Sequence, residues 1–197
     1  MSSLEITAVE ALPGVRVILP RCHRDGRGFF SEVWREDAPR SAGLDCHFVQ
    51  ENHALSHAKG TVRGLHFQIG KAAQGKLIRC IHGSIFDVAV DIRRGSPTFG
   101  RHVAIVLSAE NWRQFYVPVG FAHGYCTLDP ETEVTYKVTA YYNPNSERGL
   151  LWNDPAIGIE WPVDPEEAVL TERDRALPRL ADLPDFFPYS EFPDANG

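Results

Sequence analysis

Short apolar segments separated by glycine and proline turns constrain the fold of this chain more than any other feature. The clearest is 84–92 (SIFDVAVDI), where apolar side chains alternate with Asp87, Ala89 and Asp91. Neighbouring side chains of a β-strand point to opposite faces, so this alternation is typical of strands. Strand patterns of this kind occur at 61–68, 76–81, 84–92, 102–107, 115–118, 124–128 and 133–142. Strands this short, about ten residues apart, favour an all-β sandwich or barrel over βαβ units.

Helical patterns are confined to short pieces, such as 108–112 and 165–170. A chain of 197 residues is of the size that one domain commonly reaches. We expect a single domain over residues 1–180. The C-terminal tail, 181–197, is rich in proline, aspartate and phenylalanine and lacks periodicity, so we expect it to wrap the body or to fray.

Composition excludes several classes of partner. The net charge of −6 argues against nucleic acid, whose binding proteins normally carry a basic stripe. No apolar run is long enough to cross a membrane, and the first residues do not resemble a signal peptide. The four cysteines have no C-x-x-C spacing, which predicts reduced thiols and a cytoplasmic protein.

Two histidines mark a candidate pocket. His66 lies in the strand pattern TVRGLHFQ, and His123 follows a Pro-x-Gly turn in VPVGFAHGY. Two strand-and-turn units that each deliver a histidine suggest one pocket with a base and a polar partner. Strict alternation would put Arg63 on one face of its strand, and His66 on the other with Gly64 and Gln68.

Several long motifs carry a family resemblance. Their sequences are RGFFSE (27–32), FVQEN (48–52), GTVRGLHFQ (60–68), QGKLIRCIHGSIFDVAVDIRRGSPTFG (74–100), FYVPVGFAHGY (115–125) and TYKVTAYYNPNSERGLLWND (135–154). From about residue 6 to residue 180, the chain resembles dTDP-4-dehydrorhamnose 3,5-epimerases. It departs from their usual pattern at Ala54, where serine is common, in the proline-poor loop 69–73, and at Arg173, where lysine is usual.

The resemblance implies a cupin-type jelly roll, a homodimer, and neither a metal nor another cofactor. It also implies inversion of dTDP-4-dehydro-6-deoxy-D-glucose at C3 and C5, next to the C4 ketone. The product would be dTDP-4-dehydro-L-rhamnose, in the pathway that supplies dTDP-L-rhamnose for cell-envelope polysaccharide. Relatives dimerise by exchanging edge strands and tails, so Arg27 or Phe29 is expected to reach the pocket of the partner.

The resemblance also assigns roles. His66 is the implied base, Asp174 orients it, and Tyr136 is the acid on the opposite face of the sugar. Lys76 and Arg63 supply positive charge for the enolate and the diphosphate. The other implied substrate contacts are Arg27, Glu32, Gln50, Asn52, His123, Glu147, Arg173 and Tyr142, the last stacking on thymine.

The residues of the strand and turn motifs do not form a typical cupin metal site. Metal-binding cupins typically use an H-x-H pair, a glutamate a few residues on, and a later histidine. His123 matches the later histidine, but Gln68 stands where the second histidine of the pair would be, and no acidic residue occurs between Gln68 and Cys80. Two histidines and an amide are a poor ligand set for a transition metal.

Two other classes of function remain open on the sequence. The chain could be a related 3-epimerase, 5-epimerase or 3,4-ketoisomerase, which would differ around the sugar. It could also be a non-catalytic cupin that binds a nucleotide or sugar, although such a module has no need of a base and an acid on opposite faces. A metal-dependent cupin oxygenase ranks third because the ligands are missing.

Overall fold

The structure is a computed structural model that describes residues 4–37, 44 and 46–192. This part of the chain forms thirteen strands and one short α-helix. The strands are β1 Leu4–Ala8, β2 Arg16–Pro20, β3 Cys22–Asp25, β4 Gly28–Ser31, β5 Gln50–Ser56, β6 Val62–Gln68, β7 Lys76–His82, β8 Ser84–Asp91, β9 His102–Ser108, β10 Gln114–Val117, β11 Phe121–Thr127, β12 Thr132–Val138 and β13 Glu147–Gly149. Helix α1 is Glu172–Arg175, and short 3-10 turns lie at Gly70–Ala72 and Leu180–Asp182.

Two antiparallel sheets form the body. The six-stranded sheet has the order β1-β2-β10-β7-β12-β5, the five-stranded sheet has the order β13-β6-β11-β8-β9, and β3 pairs with β4 in a separate hairpin. The sheets pack face to face, because one buried cluster contains Phe115 and Val134 from the first sheet and Ile85 and Leu107 from the second. This sandwich confirms the all-β jelly-roll prediction.

Strand β8 is buried on both faces. Ile85 and Ala89 point into the space between the sheets, while Val88 and Val90 belong to a second cluster on the outer side of the five-stranded sheet. Chain that follows residue 149 covers this outer side. A strand covered on both sides does not need a polar face.

The C-terminal segment packs closely against the body as far as the structure describes it. Phe187 is buried, and its carbonyl oxygen accepts a hydrogen bond of 2.9 Å from the backbone N–H of Arg94. The buried guanidinium of Arg93 forms two hydrogen bonds with Asp91, and its central carbon lies 4.5 Å from the ring centre of Phe121. Residues 193–197 of the predicted tail, and residues 1–3, 38–43 and 45 of the predicted domain, lie outside the described residues.

Both predicted helical pieces are turns, so that prediction was wrong. At 108–112, the side chains of Ser108 and Asn111 each accept a hydrogen bond from the other's backbone N–H, but Trp112 has a φ of +61° and ends the turn. At 165–170 the chain instead forms an isolated β-bridge, because Val169 exchanges backbone hydrogen bonds with Gly60 and Val62. Segments of this length cannot offset the cost of helix nucleation by themselves. No helix in the described ranges is long and apolar enough to span a membrane.

Candidate active site

A cavity of about 730 Å³ lies between the two sheets. Its walls include His66 and His123 from the five-stranded sheet, and Asn52, Lys76 and Tyr136 from the six-stranded sheet. Cavities of this size are typical of small-molecule sites. The sequence prediction of one pocket for both histidines is confirmed.

A bulge in β6 brings Arg63 to the same wall as His66. Arg63 pairs with Tyr125 and His66 pairs with His123, so three steps along β6 correspond to two steps along β11. The extra residue reverses the alternation, as β-bulges do. Arg63 and His66 both line the cavity, and the prediction that they point to opposite faces was wrong.

Glycine is required where β6 and β11 meet. A Cβ added at Gly64 would lie 2.7 Å from the Cα of Gly124 and 2.8 Å from the carbonyl oxygen of His123. Gly64 also has a φ of +124°, which L side chains rarely adopt. The absence of a side chain therefore lets the two histidine-bearing strands approach closely.

His66 forms a dyad with Asp174. Its Nε2 lies 2.8 Å from Oδ1 of Asp174, which sits on helix α1 and is buried. Burial by itself would raise the pKa of Asp174, but hydrogen bonds from His66, the backbone of Gly64 and Thr171 bring the pKa below its usual range. The carboxylate is therefore ionised and can only accept, so Nε2 carries the proton and the lone pair is on Nδ1.

His123 forms a second dyad with Asp87. Its Nε2 lies 2.6 Å from Oδ1 of Asp87, a carboxylate that β8 places at zero solvent exposure. Burial lowers the pKa of His123, and the attraction of Asp87 only partly opposes this effect. The second imidazole is therefore neutral at neutral pH; its Nε2–H donates to Asp87, so the other ring nitrogen, Nδ1, can only accept a hydrogen bond.

Lys76 enters the cavity from the opposite sheet. Its Nζ donates a hydrogen bond of 3.2 Å to the backbone carbonyl oxygen of His66. Burial lowers the pKa of Lys76 to about 8, although Glu147 and Asp87 favour its charged form. Lys76 is thus mainly an ammonium ion at pH 7, and it begins to lose that charge just above neutrality.

Tyr136 also reaches the cavity from the six-stranded sheet. On β12, its neighbours Val134 and Val138 are buried, and Tyr136 packs against the same core, which confirms that this face points inward. Burial raises the pKa of Tyr136, although the nearby Arg63 partly lowers it. The phenol therefore keeps its proton throughout the physiological range and is available as an acid.

A chain of polar contacts lies along the wall near helix α1. Glu147 accepts a hydrogen bond of 2.6 Å from Arg173 and one of 3.0 Å from the hydroxyl of Tyr142. Burial would raise the pKa of Glu147, but these two donors hold the pKa below its usual range. Arg173 therefore provides a charged contact within the site.

Sequence comparison identifies the family. A family profile described as dTDP-4-dehydrorhamnose 3,5-epimerase matches residues 10–182. The chain belongs to the dTDP-4-dehydrorhamnose 3,5-epimerase family. It is therefore an epimerase, an enzyme of the isomerase class.

Individual members of the epimerase family are similar over almost their whole length. The dTDP-4-dehydrorhamnose 3,5-epimerase of Sinorhizobium fredii is 53% identical over 175 residues, which cover 89% of each chain. The crystal structure of a dTDP-6-deoxy-D-glucose-3,5-epimerase from Legionella pneumophila, in complex with dTDP-4-keto-L-rhamnose, has a TM-score of 0.88 and 40% identity, covering 94% of this chain and 97% of that one. A 3'-monoepimerase from Streptomyces bikiniensis in complex with dTDP-quinovose has a TM-score of 0.84 and 34% identity, with 91% of each chain covered.

The structure brings together most of the predicted site residues of this epimerase. Those that line the cavity are Gln50, Asn52, Arg63, His66, Lys76, His123, Tyr136, Tyr142, Glu147, Arg173 and Asp174. Arg27 and Glu32 do not line it. The Arg27 side chain is 91% exposed and paired with Asp25 in the β3–β4 hairpin, and Glu32 lies 3.7 Å from Arg35.

Sequence reasoning missed the functional position of three residues. Tyr125 and Gln74 line the cavity, and Asp87 supports His123 from behind it. A signal for Asp87 was available, because a carboxylate within the otherwise apolar run of β8 needs a partner. No periodic signal indicates Gln74.

The donors around the two histidines fit hydrogen bonding better than metal binding. Nε2 of each imidazole already faces a carboxylate oxygen, and the Gln68 amide is bonded to backbone groups. Across the described ranges, no three His, Cys, Asp or Glu side chains are grouped so that they could hold a metal ion.

Proposed function

We propose that this enzyme inverts C3 and C5 of dTDP-4-dehydro-6-deoxy-D-glucose, giving dTDP-4-dehydro-L-rhamnose. The observation that carries the proposal is the placement of the His66–Asp174 dyad and Tyr136 on opposing walls of one cavity. Inversion next to a ketone needs a base on one face of the sugar and an acid on the other. This arrangement supplies both.

His66 is the base in this mechanism. Nδ1, which does not face Asp174, accepts the proton from the carbon next to the C4 ketone. The ionised Asp174 fixes the orientation of the ring and stabilises the imidazolium that forms, because its carboxylate lies 2.8 Å from Nε2. The electron pair of the broken C–H bond moves to the ketone oxygen and produces an enolate.

Lys76 stabilises the enolate. Lys76 brings an ammonium ion to a buried cavity, where a charge–charge interaction is stronger than in water. His123, neutral and held by Asp87, adds no charge, and its Nδ1 can accept a hydrogen bond from a hydroxyl group of the sugar. Tyr136 then protonates the same carbon from the opposite face. His66 releases its proton to solvent and Tyr136 regains one from solvent, and the sequence then repeats at the second carbon.

The nucleotide occupies the remaining part of the cavity. Arg63 is held in place by hydrogen bonds to the side chain of Ser56 and the carbonyl oxygen of Leu55, and it offers a fixed positive charge for the diphosphate. Tyr142 is 52% exposed and presents a ring on which thymine can stack. Gln50, whose amide donates to Asn52, lines the same region.

A related monoepimerase is the second candidate. The similar 3'-monoepimerase from Streptomyces bikiniensis demonstrates that this fold accommodates a different regiochemistry. Abstraction and return of a single proton would use the same dyad and tyrosine. A non-catalytic binding protein is disfavoured, because it gains nothing from a buried lysine beside a His–Asp dyad.

We propose that the enzyme acts as a homodimer. The β3–β4 hairpin exposes Phe29 and Phe30, with 73% of Phe30 accessible, and Arg27 extends from its turn. Apolar side chains exposed together are typical of an interface, and a partner receiving this hairpin would explain why Arg27 is outside its own cavity. Light scattering should give twice the monomer mass of 22.0 kDa; a monomer at micromolar concentration would contradict the dimer.

The decisive experiment measures deuterium incorporation. The protein is incubated with dTDP-4-dehydro-6-deoxy-D-glucose in deuterated water, and label at C3 and C5 is read by NMR. The 3,5-epimerase labels both carbons, whereas a monoepimerase labels and inverts one of them. No label at either carbon would refute the proposed function.

Variants separate the base from the acid. His66→Asn should lower exchange at both carbons by about 10²–10⁴-fold, the usual contribution of a general base, while dTDP binding survives. Tyr136→Phe should still incorporate deuterium (wash-in), since His66 can return deuterium to the face from which it removed the proton. Inverted product should be scarce. The rate of deuterium exchange in Asp174→Asn should lie between the rates in His66→Asn and Tyr136→Phe.

The matched controls lie outside the cavity. His53 pairs with Glu133 on the exposed side of the six-stranded sheet, and Tyr141 is largely exposed. His53→Asn and Tyr141→Phe should behave as the unmodified enzyme. Wash-in that survives His66→Asn would remove this histidine as the base.

A further inference from the structure

Glutamine side chains hold the segment that carries Tyr142. Residues 139–146 connect β12 to β13 without strand or helix structure. Four consecutive residues of this segment each have a backbone group bonded to a glutamine amide. The bonds are Gln74 Nε2 to the Ala140 carbonyl oxygen (2.7 Å), Gln68 Nε2 to the Tyr141 carbonyl oxygen (3.3 Å), Tyr142 N–H to Gln50 Oε1 (3.0 Å) and Asn143 N–H to Gln68 Oε1 (2.7 Å).

Gln68 is the centre of this arrangement, which we call the glutamine clamp (Gln50, Gln68 and Gln74). Its side chain is at the end of β6, and only 4% of the residue is exposed. Its amide bonds backbone groups on both sides of Tyr142 and also donates to the carbonyl oxygen of Ala72, at 2.9 Å. An amide suits this position because it offers donors and an acceptor together and does not titrate.

The clamp has an energetic consequence for ligand binding. An irregular, exposed segment would lose conformational freedom whenever a ligand ordered it, and that loss would weaken the affinity. Here the backbone on either side of Tyr142 is already bonded to side chains from β5, from β6 and from the turn before β7. The Tyr142 ring can therefore meet a nucleobase in one geometry, and Glu147 follows four residues after the last clamped residue.

We propose that Gln68 and Gln74 are positioning residues that order residues 140–143, so that Tyr142 is preorganised to stack on the nucleobase of the substrate. This inference rests on the proposed function, because it assumes a nucleotide ligand at Tyr142. It assigns to Gln68 and Gln74 no contact with the reacting atoms.

The test uses dTDP as the probe and leucine as the substitute. Gln68→Leu keeps the approximate size of the side chain and removes its hydrogen bonds; Gln74→Leu removes one. Calorimetry should show dTDP binding about tenfold weaker for Gln68→Leu and about threefold weaker for Gln74→Leu, since a net hydrogen bond contributes up to about a factor of ten. In turnover assays KM should rise by a similar factor, with kcat within about twofold.

The control is another buried glutamine that bonds a backbone carbonyl. Gln114 donates a 2.6 Å hydrogen bond to Val33 and does not line the cavity. Gln114→Leu should cost comparable thermal stability while dTDP affinity stays unchanged. If all three variants weaken dTDP binding equally, the effect is general destabilisation and the positioning role is overturned.

A double-mutant cycle and hydrogen exchange complete the design. In a Tyr142→Ala background, Gln68→Leu should have no further effect on dTDP affinity; a full additional loss would show that Gln68 does not act through Tyr142. Amide exchange at Tyr142 and Asn143 should be faster in ligand-free Gln68→Leu, and unchanged exchange would overturn the clamp. This last measurement needs no ligand, so failure of the unmodified protein to bind dTDP would count against the proposed function alone. Should Gln68→Leu not fold, Gln68→Met removes the hydrogen bonds without adding a charge and keeps the length of the side chain, and the same outcomes apply.

Discussion

The charge on Lys76 predicts how the activity depends on pH. Burial lowers the pKa of this ammonium ion to about 8. Below that pH the lysine is charged and can stabilise an enolate; above it, the charge is lost. At a pKa of 8, roughly nine tenths of the enzyme is charged at pH 7 and roughly one tenth at pH 9. We therefore expect kcat/KM to fall about tenfold between these two pH values.

The quantity kcat/KM reports ionisation in the free enzyme, which is the state whose pKa the structure gives. The phenol of Tyr136 does not titrate near pH 8, because burial raises its pKa above the usual value near 10. Initial rates of deuterium incorporation at low substrate, measured from pH 6 to about pH 10, would give the profile.

Three variants test whether Lys76 causes the fall in kcat/KM at high pH, which is the basic limb of the pH profile. Lys76→Arg should move the limb beyond the measured range, because a guanidinium stays charged. Glu147→Gln should move the limb to lower pH, since Glu147 favours the charged lysine. Lys137→Met, which removes an ammonium paired with Glu51 on the exposed side of the same sheet, should not change the profile. A fall near pH 8 that persists in Lys76→Arg would show that another group titrates there and that Lys76 does not set the pH dependence.

Three further outcomes follow from the packing and the donor set. Gly64→Ala should destabilise the protein by about 2–5 kcal/mol in urea unfolding, because the new Cβ meets Gly124 and His123 at a positive φ; a loss below about 1 kcal/mol would contradict this close approach. Phe187→Ala should cost about 3–5 kcal/mol in the same assay, as expected for a fully buried ring, and a near-neutral result would mean that the C-terminal segment is not part of the core. Deuterium incorporation should continue in EDTA; loss of activity that one added metal restores would reverse the assignment of the chemistry to side chains.

The sequence pattern predicts the central strands well and the peripheral ones poorly. Segments 76–81, 84–92 and 102–107 correspond to β7, β8 and β9 within about two residues at each end. Strands β1 to β5 are not predicted. Strand β5, for example, lies at a sheet edge and reads QENHALS, so it has few apolar side chains to alternate.

The remaining errors arise where distant parts of the chain decide local structure. The bulge that turns Arg63 towards His66 depends on pairing with β11, about sixty residues away in the sequence, so the periodicity of β6 alone does not predict it. The strand predicted over 133–142 ends at Val138, because the following residues take hydrogen bonds from glutamine side chains instead of a neighbouring strand. Most site residues were found through long motifs and not through periodicity, and Asp87 and Gln74 were missed because each acts through a partner remote in sequence.

The covering of the five-stranded sheet affects the order in which this chain can fold during synthesis. All but one of the strands of that sheet end by residue 127, whereas the side chains that cover its outer face, such as Leu150, Leu180 and Phe187, leave the ribosome later. Until then, Val88 and Val90 lie on an uncovered apolar surface. Exposed surfaces of this kind on nascent chains bind chaperones or associate with other nascent chains. Early termination of translation in this gene would thus yield aggregates instead of a weakened enzyme.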